Sequence, residues 1–211
     1  MNKGMKIIEI KNKIKGKIIA VIRANTPEMA EEMAETVLKN GIEIVEITFT
    51  VNGAVEVIKN LRKNFPDFVI GAGTVTRLDE ARSALKAGAQ FIVSPCVIEE
   101  VGEFCKTENI FCSLGAQTPT EVYKAYLHGG DIVKLFPGEL FNPSIIKILH
   151  GPFPYIDFMP TGGINKENAK TWLDSGAFAL GVGGYLTGGI GMGNLDLLGV
   201  RVRELLESVK G

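Results

Sequence analysis

Residues 18–48 read IIAVIRANTPEMAEEMAETVLKNGIEIVEIT, and this stretch decides the fold. It opens on a short β-branched run, Ile18–Arg23, and closes on a second, Ile42–Thr48. Between them Pro27–Lys39 is amphipathic, with a proline at its start and Asn40-Gly41 just past its end, the punctuation of a helix that hands straight back to a strand. The same alternation recurs about every 20 to 25 residues to the C-terminus, which is a repeated βα unit. Further strands are predicted at Phe68–Gly71, Phe91–Ser94, Ile110–Leu114, Ile132–Phe136, Ile156–Met159 and Ala179–Val182, making eight. Helices are predicted at Leu78–Ala87, Glu121–His128 and Lys166–Leu173 among others, and glycines follow closely at Gly88, Gly129 and Gly176.

The strands are apolar on both faces, as parallel strands covered by helices must be, and eight βα units is the count that closes a barrel. The expected fold is therefore α/β, a (β/α)8 TIM barrel, with the first 15 residues as an extra helix ahead of it. An open, doubly wound sheet is the competing architecture. At 211 residues, with 45% apolar and 22% charged side chains and 25 glycines, the chain reads as one domain over residues 1–211, a size that buries a large core.

A net charge of -1 sets up no field for a polyanion, so no nucleic-acid partner is expected. The N-terminal MNKGMKIIEIKNKIKGK lacks a signal-peptide pattern, and no stretch of 18 apolar residues free of charge follows. No membrane partner is expected and the protein reads as cytoplasmic. Cys96, Cys105 and Cys112, with His128 and His150, lack the spacing of a zinc site; they read as structural thiols and no metal is expected.

In such a barrel chemistry sits at the C-terminal ends of the strands, so charges that interrupt or end an apolar run are the candidates. Lys134 interrupts DIVKLF, sharing a face with Ile132 and Phe136. Burial of an amine in a dry strand favours its neutral form, a nucleophile toward a carbonyl, although a lysine paired with a lumen carboxylate reads equally well. Glu46 interrupts IEIVEIT on the face of Ile44 and Thr48. The second and sixth strands face each other across the lumen, so Glu46 and Lys134 can converge. Amine and carboxyl together suit imine chemistry, one attacking and the other moving protons; a mutual salt bridge is the structural alternative. Arg23 ends the first strand, where its planar fork suits a substrate carboxylate or, as readily, an ion pair at the barrel mouth. Pro160-Thr161-Gly162-Gly163 and Gly181-Val182-Gly183-Gly184 follow the last two strands, where barrels often bind phosphate through backbone N–H groups. Gly71–Thr74, reading GAGT, ends the third strand and brings the Thr74 hydroxyl toward a ligand or forms a plain turn.

These residues sit in VEITFT (45–50), GAGTV (71–75), FIVSP (91–95), TPTE (118–121), VKLFPGE (133–139), GPFP (151–154) and PTGGI (160–164). Taken in order, they closely resemble the 2-keto-3-deoxy-6-phosphogluconate (KDPG) aldolase family, often also active on 4-hydroxy-2-oxoglutarate, from about Ile18 onward. The resemblance implies a TIM-barrel lyase, a homotrimer, acting on a small-molecule 2-oxo acid without metal or organic cofactor. It implies Lys134 as the Schiff-base residue and Glu46 as the general acid/base. Thr74, Pro95 and Phe136 would line the pyruvyl pocket, Arg23 would bind the carboxylate, and Gly162, Gly163, Gly183 and Gly184 the phosphate. Three positions depart from the family pattern: Thr50 stands where some members have arginine, Gly184 where serine is usual, and Leu114 where proline is usual, with Gln117 following.

Overall fold

The computed structural model describes residues 7–210. Its strands are β1 Ile18–Ile22, β2 Ile44–Thr48, β3 Val69–Gly73, β4 Phe91–Val93, β5 Phe111–Ala116, β6 Ile132–Leu135, β7 Phe158–Pro160 and β8 Leu180–Val182. All neighbours pair in parallel, in the order β7-β6-β5-β4-β3-β2-β1-β8. A Thr161–Gly181 bridge and a hydrogen bond from the Phe178 N–H to the Phe158 carbonyl (2.8 Å) join the two ends. The closed (β/α)8 barrel is the expected architecture, and the open sheet is excluded.

Around it lie α2 Pro27–Lys39, α3 Ala54–Asn64, α4 Leu78–Ala87, α5 Glu99–Glu108, α6 Pro119–Leu127, α7 Ile145–His150, α8 Ala169–Asp174, α9 Gly184–Thr187 and α10 Leu195–Ser208, preceded by α1 Ile7–Ile14. α2 and α4 occupy the predicted bounds. α6 begins two residues ahead of Glu121, because Thr118 and Glu121 form a reciprocal capping box and Pro119 takes the first helical position. α8 begins three residues after Lys166, since the side-chain oxygens of Asn165 and Asn168 each accept the other's backbone N–H and hold residues 165–168 in a turn. β3 runs two residues past Gly71, so Gly71 and Gly73 are strand residues and GAGT is not a plain turn. β7 similarly ends at Pro160 rather than Met159.

α1 closes the N-terminal mouth of the barrel. Ile10 and Ile14 are buried among Ile19, Ile44, Phe111 and Ile132 of the lumen, each contributing about 1.5–3 kcal/mol. Lys11 binds Asp157 at 2.8 Å beside this seal. Residues 1–6 of the expected leading helix lie outside the described residues. Cys105 and Cys112 are buried free thiols in the outer core, whereas Cys96 is exposed, so the structural reading does not extend to it. Among the described residues no helix is long and apolar enough to cross a membrane, and no cluster of three His, Cys, Asp or Glu side chains could hold a metal.

Lumen side chains of such barrels stack in layers drawn from alternate strands, each strand staggered by its neighbour's register. Followed around the barrel, the pairings give Ile44, Phe91, Ile132 and Ala179 as the lowest complete layer, then Ile19, Gly71, Ser113 and Met159. Glu46, Val93, Lys134 and Gly181 form the third, and Val21, Gly73, Gly115 and Thr161 the fourth. Apolar side chains dominate the lower two; the upper two carry the charges and three glycines.

Candidate active site

Glu46 and Lys134 share one layer from opposite strands, as the period of two along β2 and β6 requires. The space for the carboxyl is made by Gly73: a Cβ there would stand 1.7 Å from the Glu46 Oε1 atom. Gly115 and Gly181 yield space in the same way to the Pro95 carbonyl and the Thr161 side chain. The three glycines of the upper layers thus make room for the Glu46 carboxyl, the Pro95 carbonyl and the Thr161 side chain within the C-terminal end of the lumen.

Above this floor is a cleft of about 390 Å³ lined by Val21, Arg23, Thr74, Pro95, Lys134, Phe136, Thr161, Gly162, Gly183, Gly184 and Thr187. Lys134 is 4% exposed, with its ammonium nitrogen 5.2 Å from the Phe136 ring centroid, close enough for the ring face to attract a cation. Glu46 lies beneath, fully buried, and neither carboxylate oxygen has a hydrogen-bond partner. Burial pushes its carboxyl above the usual range, while the Lys134 ammonium and then the Arg23 guanidinium pull it back. The two charges therefore sense each other without forming a salt bridge, and the structural alternative of a mutual ion pair is not what the lumen contains. Among the described residues Arg23 is in no ion pair either; it is exposed at the mouth, just past Ile22, whose carbonyl accepts the Thr48 hydroxyl at 3.1 Å.

The turns that frame the cleft are tied to one another. The Gly138 N–H donates to the Thr161 carbonyl at 2.7 Å, docking the loop after β6 onto the turn after β7. Gly162 and Gly163 both adopt positive φ, 95° and 70°, a pair of conformations that favours glycine. Gly162 faces the cleft, but Gly163 packs on Glu139 and does not line it. Thr74 has φ 54°, a left-handed conformation uncommon for a β-branched residue. Hydrogen bonds from Val75 N–H to the Val93 carbonyl and from the Ser94 hydroxyl to the Val75 carbonyl hold the chain there, and such conformations cluster where function demands them.

The structure places Arg23, Thr74, Pro95, Lys134, Phe136, Gly162, Gly183 and Gly184 on one cleft, with Glu46 buried below it. Val21, Thr161 and Thr187 also line the cleft; of these only Thr161 lies in a turn singled out in the sequence, the one after the seventh strand, and the sequence assigns it no contact of its own. Alternation from Ile19 puts Val21 on the lumen face, and alternation from Met159 does the same for Thr161, which bridges Gly181 just past the end of β7. Thr187 gives no strand signal; it reaches the cleft by the turn of α9, its hydroxyl bonded to the Gly183 carbonyl at 3.2 Å.

A buried amine, a carboxyl of raised pKa and a mouth arginine can form and hydrolyse an imine of a carboxylated carbonyl compound. Known proteins resemble this chain in sequence and fold. The chain is 33% identical over 197 residues to the 2-dehydro-3-deoxy-phosphogluconate aldolase of Haemophilus influenzae, covering 92% of this chain and 93% of the relative. It is 29% identical over 199 residues to the KHG/KDPG aldolase of Escherichia coli K12, again covering 92% and 93%. It superposes with TM-score 0.84 on KDPG aldolase from Legionella pneumophila, solved with pyruvate captured as a covalent carbinolamine, at 26% identity over 95% of this chain and 98% of that one. The family profile described as KDPG and KHG aldolase matches residues 8–198, and with that extent of agreement the chain belongs to the KDPG and KHG aldolase family.

Proposed function

We propose that this chain is a class I aldolase that cleaves 2-keto-3-deoxy-6-phosphogluconate to pyruvate and glyceraldehyde 3-phosphate through an imine on Lys134. The observation that carries the reading is a nearly buried primary amine on the cleft floor, in one layer with a carboxyl that lacks any hydrogen-bond partner. The Lys134 amine adds to the C2 carbonyl, and loss of water from the carbinolamine leaves the protonated imine. Glu46 takes the proton of the C4 hydroxyl as the C3–C4 bond breaks, releasing the aldehyde. The electron pair passes into the imine to give an enamine, C3 regains a proton from Glu46, and hydrolysis frees pyruvate and Lys134. The iminium is the electron sink, so the reading calls on no metal and no organic cofactor.

In this reading Arg23 binds the substrate carboxylate, and Thr74, Pro95 and Phe136 bound the pyruvyl end. Gly162, Gly183 and Gly184 offer backbone N–H groups to the phosphate, and Gly163 lets the same turn close against Glu139. The site also suits 4-hydroxy-2-oxoglutarate, which would yield pyruvate and glyoxylate. Borohydride reduction in the presence of pyruvate should leave a covalent adduct on Lys134 that Lys134→Met abolishes; a wild-type enzyme that traps nothing refutes the reading. Comparing kcat/KM for the phosphorylated acid, its galactonate epimer and the unphosphorylated acid tests the distal end. A clear preference for phosphate is expected, and equal rates would refute a phosphate site.

The enzyme in this proposal is a cytoplasmic homotrimer. Support for self-association comes from α6, α7 and the loop that follows, on which Tyr123, Tyr126, Leu127, Ile148 and Tyr155 are each exposed. Tyr126 and Tyr155 pack ring to ring at 5.1 Å, and apolar patches of this kind mark contact surfaces. Light scattering should give the mass of three chains, and Tyr126→Lys should lower it; a monomeric wild type refutes the trimer.

A further inference from the structure

Three buried side-chain polar atoms among the described residues have no hydrogen-bond partner: both oxygens of Glu46 and the hydroxyl of Ser113. All three belong to the barrel lumen. Ser113 alternates with Phe111, a lumen residue, while Cys112 and Leu114 face the outer core. Its backbone pairs with Ile132, so it stands one layer below Lys134 and Glu46 on the strand beside Lys134. It is fully buried, and the other members of its layer, Ile19, Gly71 and Met159, bring no strong hydrogen-bonding side chain.

An isolated buried hydroxyl and an isolated buried carboxylate are each costly. A buried water ordinarily makes about two to four hydrogen bonds to such groups. We propose that Ser113 is a positioning residue for Glu46: its hydroxyl and the Glu46 carboxylate share one internal water, which hydrogen-bonds the ionised carboxylate and fixes it for proton transfer beside the imine. This rests on the imine chemistry assigned above to Lys134 and Glu46. The charged groups acting on Glu46 are Lys134 from β6 and Arg23 from the end of β1. The other strands present Val93 and Gly181 in that layer and Val21, Gly73, Gly115 and Thr161 in the one above, none of them charged. A hydrogen bond to the ionised form opposes the burial that raises the Glu46 carboxyl, so its loss makes Glu46 ionise at higher pH.

The test measures kcat against pH for pyruvate release by wild type, Ser113→Ala and Ser113→Thr, with borohydride trapping of pyruvate and thermal midpoints alongside. Trapping on Lys134 should persist in all three. The acid limb of Ser113→Ala should move up by about 0.5–1 pH unit, a loss of about three- to tenfold on that limb, while Ser113→Thr keeps the wild-type limb. The Ser113→Ala midpoint should not rise, because a hydrated hydroxyl is a satisfied one. A superimposable Ser113→Ala profile, a limb moved equally by Ser113→Thr, or a raised Ser113→Ala midpoint would each overturn the proposal. A wild type that traps no pyruvate overturns the aldolase reading instead.

Discussion

Gly73→Ala probes the site without replacing any group that reacts. Its backbone lies outside the left-handed region, so alanine is sterically acceptable to the main chain. The new methyl would instead stand 1.7 Å from Glu46 Oε1 and 2.3 Å from its carboxyl carbon, against an ordinary contact of 3.4 Å. The carboxyl must therefore retreat by about 1.7 Å, and a displacement of about 1 Å at a reacting group already costs around a hundredfold. We expect kcat to fall by about 10²-fold or more, within the range that general acid–base groups supply. Stability should fall by only about 1–3 kcal/mol, the usual cost of overpacking. The assay couples pyruvate release to lactate dehydrogenase, with pyruvate trapping on Lys134 as the control for an intact cleft. In a Glu46→Gln background the added loss from Gly73→Ala should shrink to a few-fold, because both changes act through one carboxyl. A Gly73→Ala enzyme within threefold of wild-type kcat, or a full additive loss in the double variant, would refute the reasoning.

Three further outcomes follow from the same geometry. The Glu46 carboxyl is raised by burial, so its contribution to stability is fully present below the unfolded pKa and is lost as pH rises through the folded one. Thermal melts should therefore show Glu46→Gln gaining on wild type between acidic and mildly alkaline pH, by about 2–4 °C per kcal/mol relieved; a gain that is larger in acid contradicts the assignment. Thr74→Gly releases a left-handed β-branched residue and should raise stability by about 0.5–1 kcal/mol in denaturant titrations, while kcat/KM falls with loss of the hydroxyl; a destabilised variant counts against strain at φ 54°. A Cβ added at Gly184 meets nothing within 4 Å, so Gly184→Ser should lower KM for the phosphorylated acid by about five- to tenfold, one hydrogen bond's worth, without changing it for the unphosphorylated acid. An equal effect on both would place Gly184 away from the phosphate.

The βα rhythm, the count of eight and the face on which Glu46 and Lys134 lie were legible in the chain alone. Strand periodicity assigns side chains to a face before any contact is known, and eight crossover units leave closure as the compact solution. Arg23, Thr74 and the glycines after β7 and β8 were legible for a related reason, standing where apolar runs give way at their C-terminal ends. Heights within the lumen were not, because they depend on the stagger that accumulates around the closed sheet. That stagger puts Gly73 against the Glu46 carboxyl, brings Thr161 into the cleft, turns Gly163 onto Glu139 and sets Ser113 beneath the catalytic layer. Nor does any sequence pattern show that two charges on facing strands stop short of an ion pair. Packing decided that, by holding the Glu46 oxygens away from every donor while leaving them within electrostatic reach of Lys134.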